Sequence, residues 1–148
     1  AASDVYKRQI RLKDGDEVVA AVRATDEDAA VLTVTENGYG KRTRIGEYSV
    51  QNRGGQGLKT YQITQKTGEI VGAKKVTGEE DILLVSDDGT IIRMEAGGIS
   101  LLGRATQGVR LMRPAEGAHV VAMARTEREA SEEETAEPGE SAVEITEE

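Results

Sequence analysis

The stretch Arg53-Gly54-Gly55-Gln56-Gly57 sets three glycines within five residues, beside an arginine. Glycine lets a backbone take positive φ and come close to another group. Such a loop can present N–H groups to an oxyanion with a guanidinium alongside. The same residues suit a plain connecting turn, and both readings stay open. A second cationic group, Lys41, Arg42 and Arg44 placed around Thr43, follows a glycine turn. On a strand, Lys and Arg either contact phosphate or protect an edge. Proton-transfer, nucleophile and metal chemistry is poorly supplied. The chain has no Cys and a single His, His119, next to Val120 and Val121. A lone histidine in an apparent strand is read as structural. Glu79-Glu80-Asp81 and Asp87-Asp88 are read as turn acids. No catalytic constellation, no metal site and no cofactor are expected.

The elements that must hold these residues are strands. The sequence has 17 Gly, two Pro and neither Phe nor Trp. Its core must come from Val, Ile, Leu, Ala and Met, and its turns from glycine, which suits short strands. Glu17–Ala24 is expected to be a strand, and Ala30–Thr35 alternates with β-branched residues. Asn37-Gly38 then predicts a hairpin with a type I′ turn, returning through Tyr39–Ile45. Asp88-Gly89 repeats the arrangement between Ile82–Ser86 and Thr90–Met94.

These hairpins recur. Gly38 and Gly89, Arg42 and Arg93, and Gly57 and Gly108 are each 51 residues apart. Arg53–Leu58 aligns with Arg104–Val109, and Gly15–Val19 aligns with Gly68–Gly72 after a small indel. Gly117–Val121 opens a third copy. Two units of about fifty residues with several strands each predict an all-β, propeller-like array. In such an array recurrent positions fall along one rim. Lys41, Arg42, Arg44, Arg53, Lys59, Arg93, Arg104 and Arg110 would form a periodic positive rim for a phosphate backbone. Tyr39, Tyr48 and Tyr61 are too few to stack a single strand, so duplex DNA is the expected polyanion.

The net charge of −8 hides this rim, because residues 126–148 carry −9 and residues 1–125 about +1. The Glu-rich segment 126–148 is expected to be a disordered tail. Residues 1–9 belong to no repeat, and 10–125 is the expected folded array. No apolar run is long enough for a membrane span, and no signal-peptide pattern opens the chain.

Two stretches, Thr35–Thr43 with Glu47-Tyr48, and Gly103–Leu111, resemble blades of the C-terminal domain of the DNA gyrase A protein. The resemblance runs from Ile10 to Arg125. It implies a six-bladed β-pinwheel, of which these residues would supply the last blades, whose basic perimeter wraps duplex DNA. It also implies a bacterial, cytoplasmic, nucleoid-associated enzyme that introduces negative supercoils with ATP and Mg. That enzyme pairs two copies of its A protein with two of its B protein through parts outside this sequence. Gln51-Asn52-Arg53-Gly54-Gly55-Gln56-Gly57 resembles the family's box Gln-x-Arg-Gly-Gly-(Lys/Arg)-Gly but departs from it at Gln56. It is read as a degenerate copy on a late blade. The corresponding protein of topoisomerase IV, which has a related domain, is one alternative. A protein-interaction propeller with an incidental basic rim is another.

Overall fold

A computed structural model describes residues 11–51 and 57–128. Segment 1–9 with Ile10, the centre of the box-like loop at 52–56 and residues 129–148 therefore lie outside the described residues. Seven strands form: β1 (Ala30–Thr35), β2 (Tyr39–Arg44), β3 (Ile70–Val76), β4 (Glu80–Ser86), β5 (Ile91–Glu95), β6 (Val109–Arg110) and β7 (Val120–Glu127). Short 3₁₀ turns at Ile45–Glu47 and Ala96–Gly98 follow β2 and β5. Among the described residues no helix is long and apolar enough to cross a membrane.

The strands make two sheets, in the orders β3-β1-β2-β6 and β5-β4-β7, with every strand pair antiparallel. Each is built on a hairpin, β1-β2 or β4-β5. The expected type I′ turn does not form, because it needs positive φ at Asn37, and only glycines take positive φ among the described residues. Gly38 at φ 84° and Gly89 at φ 86° instead end loops in which each glycine N–H returns to the last strand residue, Thr35 or Ser86. A three-residue loop whose last residue is a left-handed glycine suits the strand twist equally well.

The third strand of each sheet comes from the following unit. β3 pairs with β1 from Ala30↔Val76 onward, and β7 pairs with β4 from Glu80↔Glu127 onward. The register slips between Val34 and Thr35 in one sheet and between Val85 and Ser86 in the other. Those bulges are themselves 51 residues apart, so the repeat holds at backbone level. It also corrects the expectation for Glu17–Ala24. This segment aligns with β3 and β7, whose partner is the hairpin before them, and the described residues contain no hairpin before 17–24. It forms no strand, and Val18 and Val19 are exposed.

The expected tail boundary moves too. Thr126 and Glu127 are the last residues of β7, opposite Asp81 and Glu80. Arg93 Nη2 donates to the Glu127 carbonyl at 2.9 Å, and Arg128 Nε stands 3.8 Å from Asp81 Oδ1. Ladder hydrogen bonds and these charged contacts hold two residues that composition alone assigns to the tail.

Leu32 and Val34 of β1 join Ile82 and Leu84 of β4 in one buried cluster with Val76, Ala96, Ile99, Met112 and Val120. The core is thus shared between the sheets and built of small aliphatic groups, as the absence of Phe and Trp requires. β6 closes the outer edge of β2 through Tyr39↔Arg110 and Gly40↔Val109. At that crossing Gly108 has φ 73°, and a Cβ there would stand 2.6 Å from the Gly40 carbonyl oxygen. Its repeat counterpart Gly57 has φ 85° with nothing within 4 Å. Gly57→Ala should therefore cost about 1 kcal/mol for the left-handed backbone alone. Gly108→Ala should cost about 3 kcal/mol, because overpacking adds to it. Urea melts of the two variants check the difference, and equal midpoints would refute it.

Candidate nucleic-acid interface

The alternation of β2 divides its cations between two faces. Lys41 shares a face with Tyr39 and Thr43, while Arg42 and Arg44 point to the other. Lys41 is fully buried. Its Nζ donates to the carbonyls of Gly103 at 2.8 Å and Arg104 at 2.5 Å. It also contacts Thr106 O at 3.3 Å and Thr106 Oγ1 at 3.1 Å. It lies 4.7 Å from the centre of the Tyr61 ring, whose hydroxyl donates to the Gln107 carbonyl. This lysine ties down the crossing loop 103–107, and no phosphate reaches it. That corrects its expected place on the rim: charge and position are legible in sequence, but the loop that encloses it is not.

Arg42 also holds backbone. Its Nε donates to Ile99 O at 2.7 Å and its Nη2 to Gly97 O at 3.1 Å. The main chain of Arg42 bonds to Ser100 and Leu102 on the same segment. Its counterpart Arg93 pairs with Asp81 Oδ2 at 2.8 Å. The two recurrent arginines thus fasten the chain that follows each hairpin, while still lying at the surface.

The remaining rim cations are more open. Arg44 and Lys59 are exposed, with no side-chain hydrogen bond or ion pair among the described residues. Arg104 Nη1 donates to Lys59 O at 3.1 Å, which brings these two residues together. Arg110 lies over the Tyr39 ring at 4.8 Å and donates to its hydroxyl at 2.9 Å. That hydrogen bond holds the Tyr39 phenol below its usual range. Lys66 lies 5.5 Å from the same ring. Sequence reasoning passed over Lys66, which sits in the connection between the units, two residues before Gly68 as Lys13 is before Gly15. Of the box-like loop, Gln51 bonds only to Ser49 among the described residues, and Gly57 is exposed. Arg53, Gly54, Gly55 and Gln56 lie outside the described residues. No group of three His, Cys, Asp or Glu among the described residues could hold a metal ion.

Arg44, Lys59, Lys66, Arg104 and Arg110 lie on or beside the outer strands β2 and β6. A strand edge decorated in this way suits an extended polyanion better than a small molecule.

Burial lowers the Lys41 ammonium from the ordinary 10.5 to about 8, against the pull of Glu47. The folded chain thus releases a proton between about pH 8 and 10.5 that the unfolded chain keeps. This group weighs against folding in full below about pH 8, and the penalty lifts as pH rises to 10.5. An NMR titration of the Lys41 side chain should show a midpoint near 8, followed by the Gly103–Thr106 amides; a midpoint near 10.5 would contradict the burial. Lys41→Met should cost about 3 kcal/mol, since it strands buried carbonyls. Arg44→Ala should leave the urea midpoint nearly unchanged.

The sequence pattern of the family described as "DNA gyrase C-terminal domain, beta-propeller" matches residues 7–25, 29–77 and 80–127. Among curated proteins, the DNA gyrase A protein of Staphylococcus aureus (strain MRSA252) is 48% identical over 128 residues. That of Staphylococcus epidermidis (strain ATCC 12228) is 49% identical over 121 residues. The matches cover 84% and 81% of this chain but only 14% of each relative. A solved DNA gyrase A C-terminal domain matches with a TM-score of 0.62 and 32% identity, over 65% of this chain and 33% of that one. The C-terminal domain of a DNA topoisomerase IV matches with a TM-score of 0.73 over 80% of this chain and 37% of that one. At 21% identity this second likeness is one of fold.

Proposed function

The chain belongs to the DNA gyrase C-terminal domain family, and from that membership we propose that it binds duplex DNA by its backbone along the outer strand edge. The observation that carries this reading is the run of surface cations Arg44, Lys59, Arg104 and Arg110 beside β2 and β6, on the side away from the inner strands β3 and β7. Arg42 lies on β2 of this edge while fastening the segment after β5, and Arg93 stands on β5 of the other sheet. Among the described residues no α-helix is available to enter a major groove. Contacts of this kind position DNA without reading its bases.

In the whole protein, of which this chain spans about 14% of the length of its curated relatives, the same contact wraps DNA. There it supports ATP- and Mg-dependent negative supercoiling by two A and two B proteins in the bacterial nucleoid. Residues 129–148 contain nine Glu and no Lys or Arg. Joined to the same chain through the end of β7, they compete with phosphates for its cations.

Binding of a long duplex should weaken linearly in log K against log salt, by about 0.9 per phosphate neutralised. Arg44→Ala with Lys59→Ala should flatten the slope by nearly two such steps, equally for all sequences. An unchanged slope would remove both residues from the interface. Truncation after Arg128, which spares β7, should raise affinity at low salt and matter little at 1 M, where the Debye length is about 3 Å. Equal affinity at low salt would leave the acidic segment without a role in binding.

A further inference from the structure

The inner strands carry positive charge that the outer edge does not use. Residues 21–23, 73–75 and 123–125 line one open groove of about 470 Å³. They are the same stretch in three successive units. Lys75 lies opposite Val31 and Arg125 opposite Ile82, and these two partners are 51 residues apart. Arg23, from the segment before β1, lines the groove beside them, and Lys74 adds a fourth cationic residue.

Among the described residues no carboxylate lines this groove. Lys75 Nζ holds Asp26 Oδ2 at 3.2 Å from outside it. Arg125 Nη1 donates to the Lys75 carbonyl at 2.7 Å, which leaves its other N–H groups free. Arg23 and Lys74 have no side-chain hydrogen bond or ion pair among the described residues. Glu80 and Glu127 border a neighbouring hollow that Arg125 shares. Further along β3, β7 and the segment before β1 the lining becomes apolar, around Val71, Ala122 and Met123. It then turns acidic, with Glu17, Glu36 and Asp87. The cations therefore gather at one end. Arg23 and Arg125, from opposite sides of the groove, repel each other unless an anion lies between them.

We propose that this groove binds a compact polyvalent phosphate, inorganic phosphate or a short oligophosphate. Guanidinium groups from two units would grip oxygens in pairs, with the lysine ammonium groups as point charges. The site is separate from the duplex contact, since β1 and β2 stand between β3 and the outer edge.

Tripolyphosphate and, separately, inorganic phosphate would be titrated into the 148-residue chain at constant ionic strength, reading backbone amide shifts. Saturable shifts confined to 21–23, 73–75 and 123–125 are expected, tighter for tripolyphosphate. Arg23→Gln with Arg125→Gln should raise its Kd at least tenfold, and Arg125→Lys should cost less than Arg125→Gln, because it keeps the charge and loses the paired grip. Duplex affinity of the double variant should change less than twofold. If that variant fails to fold, Arg23→Gln alone, on an unpaired segment, carries the test with a threefold rise expected. Non-saturable shifts, an unchanged Kd, or tighter binding of oligoglutamate than of tripolyphosphate would overturn the assignment. So would a parallel loss of duplex binding. Duplex binding absent while phosphate binding persists would refute the proposed function and leave this site standing.

Discussion

A two-stranded hairpin is marginal in water because it has one apolar face and two open edges. Everything else here follows from how those edges are closed. β1-β2 and β4-β5 each take an inner strand from residues that the repeat assigns to the next unit. β1-β2 also takes β6 on its outer edge. The borrowed strands put Val76 and Val120 beside Leu32 and Ile82 in a common core. Borrowing also sets where charge goes. Strands that close inner edges bring their cations together, and the segment that crosses β2 brings Arg104 and Arg110 to the rim.

The crossing segment shows how a polar network can stand in for aromatic packing. Without Phe or Trp, the space between β2 and residues 103–107 is filled by Lys41 and Tyr61. Burial pushes the Tyr61 phenol up to about 12. It therefore remains a neutral donor to Gln107 while its ring faces the lysine ammonium. A buried charge is costly unless its hydrogen bonds are met, and here carbonyls of the crossing chain meet them. The interaction thus fixes the loop's path more than it adds net stability.

The hairpins were legible in the sequence because they rest on local signals. Ala30–Thr35 has the bounds of β1, and Asn37-Gly38 and Asp88-Gly89 sit at the turns. Departures arise where a partner decides. Glu17–Ala24 has a strand's composition but no hairpin to join, and Thr126-Glu127 has a tail's composition but lies on β4. The turn type differs because one glycine in a three-residue loop satisfies the same twist. Among the site residues, Arg44, Lys59, Arg104 and Arg110 stand at the surface as their spacing suggested. Lys41 does not, because the alternation along Tyr39–Arg44 gives β2 two faces but does not show that a loop some sixty residues later covers one. Arg23, Lys75 and Arg125 carried no local signal in the sequence, because only the placing of β3 and β7 side by side makes them neighbours.

The matching bulges at Val34/Thr35 and Val85/Ser86 show that backbone register, and not only residue type, recurs every 51 positions. Each sheet straddles the boundary between two copies, so no copy is a self-sufficient module that recombination could lift out whole. Gain or loss of a full period rejoins a hairpin to an equivalent strand in the same phase. A gene can therefore lengthen or shorten such an array by unequal crossing-over without frustrating its pairing. An insertion of an odd number of residues within a strand would throw the residues after it onto the wrong face. Blade number is the trait this architecture leaves open to evolution, and strand phase is the one it locks.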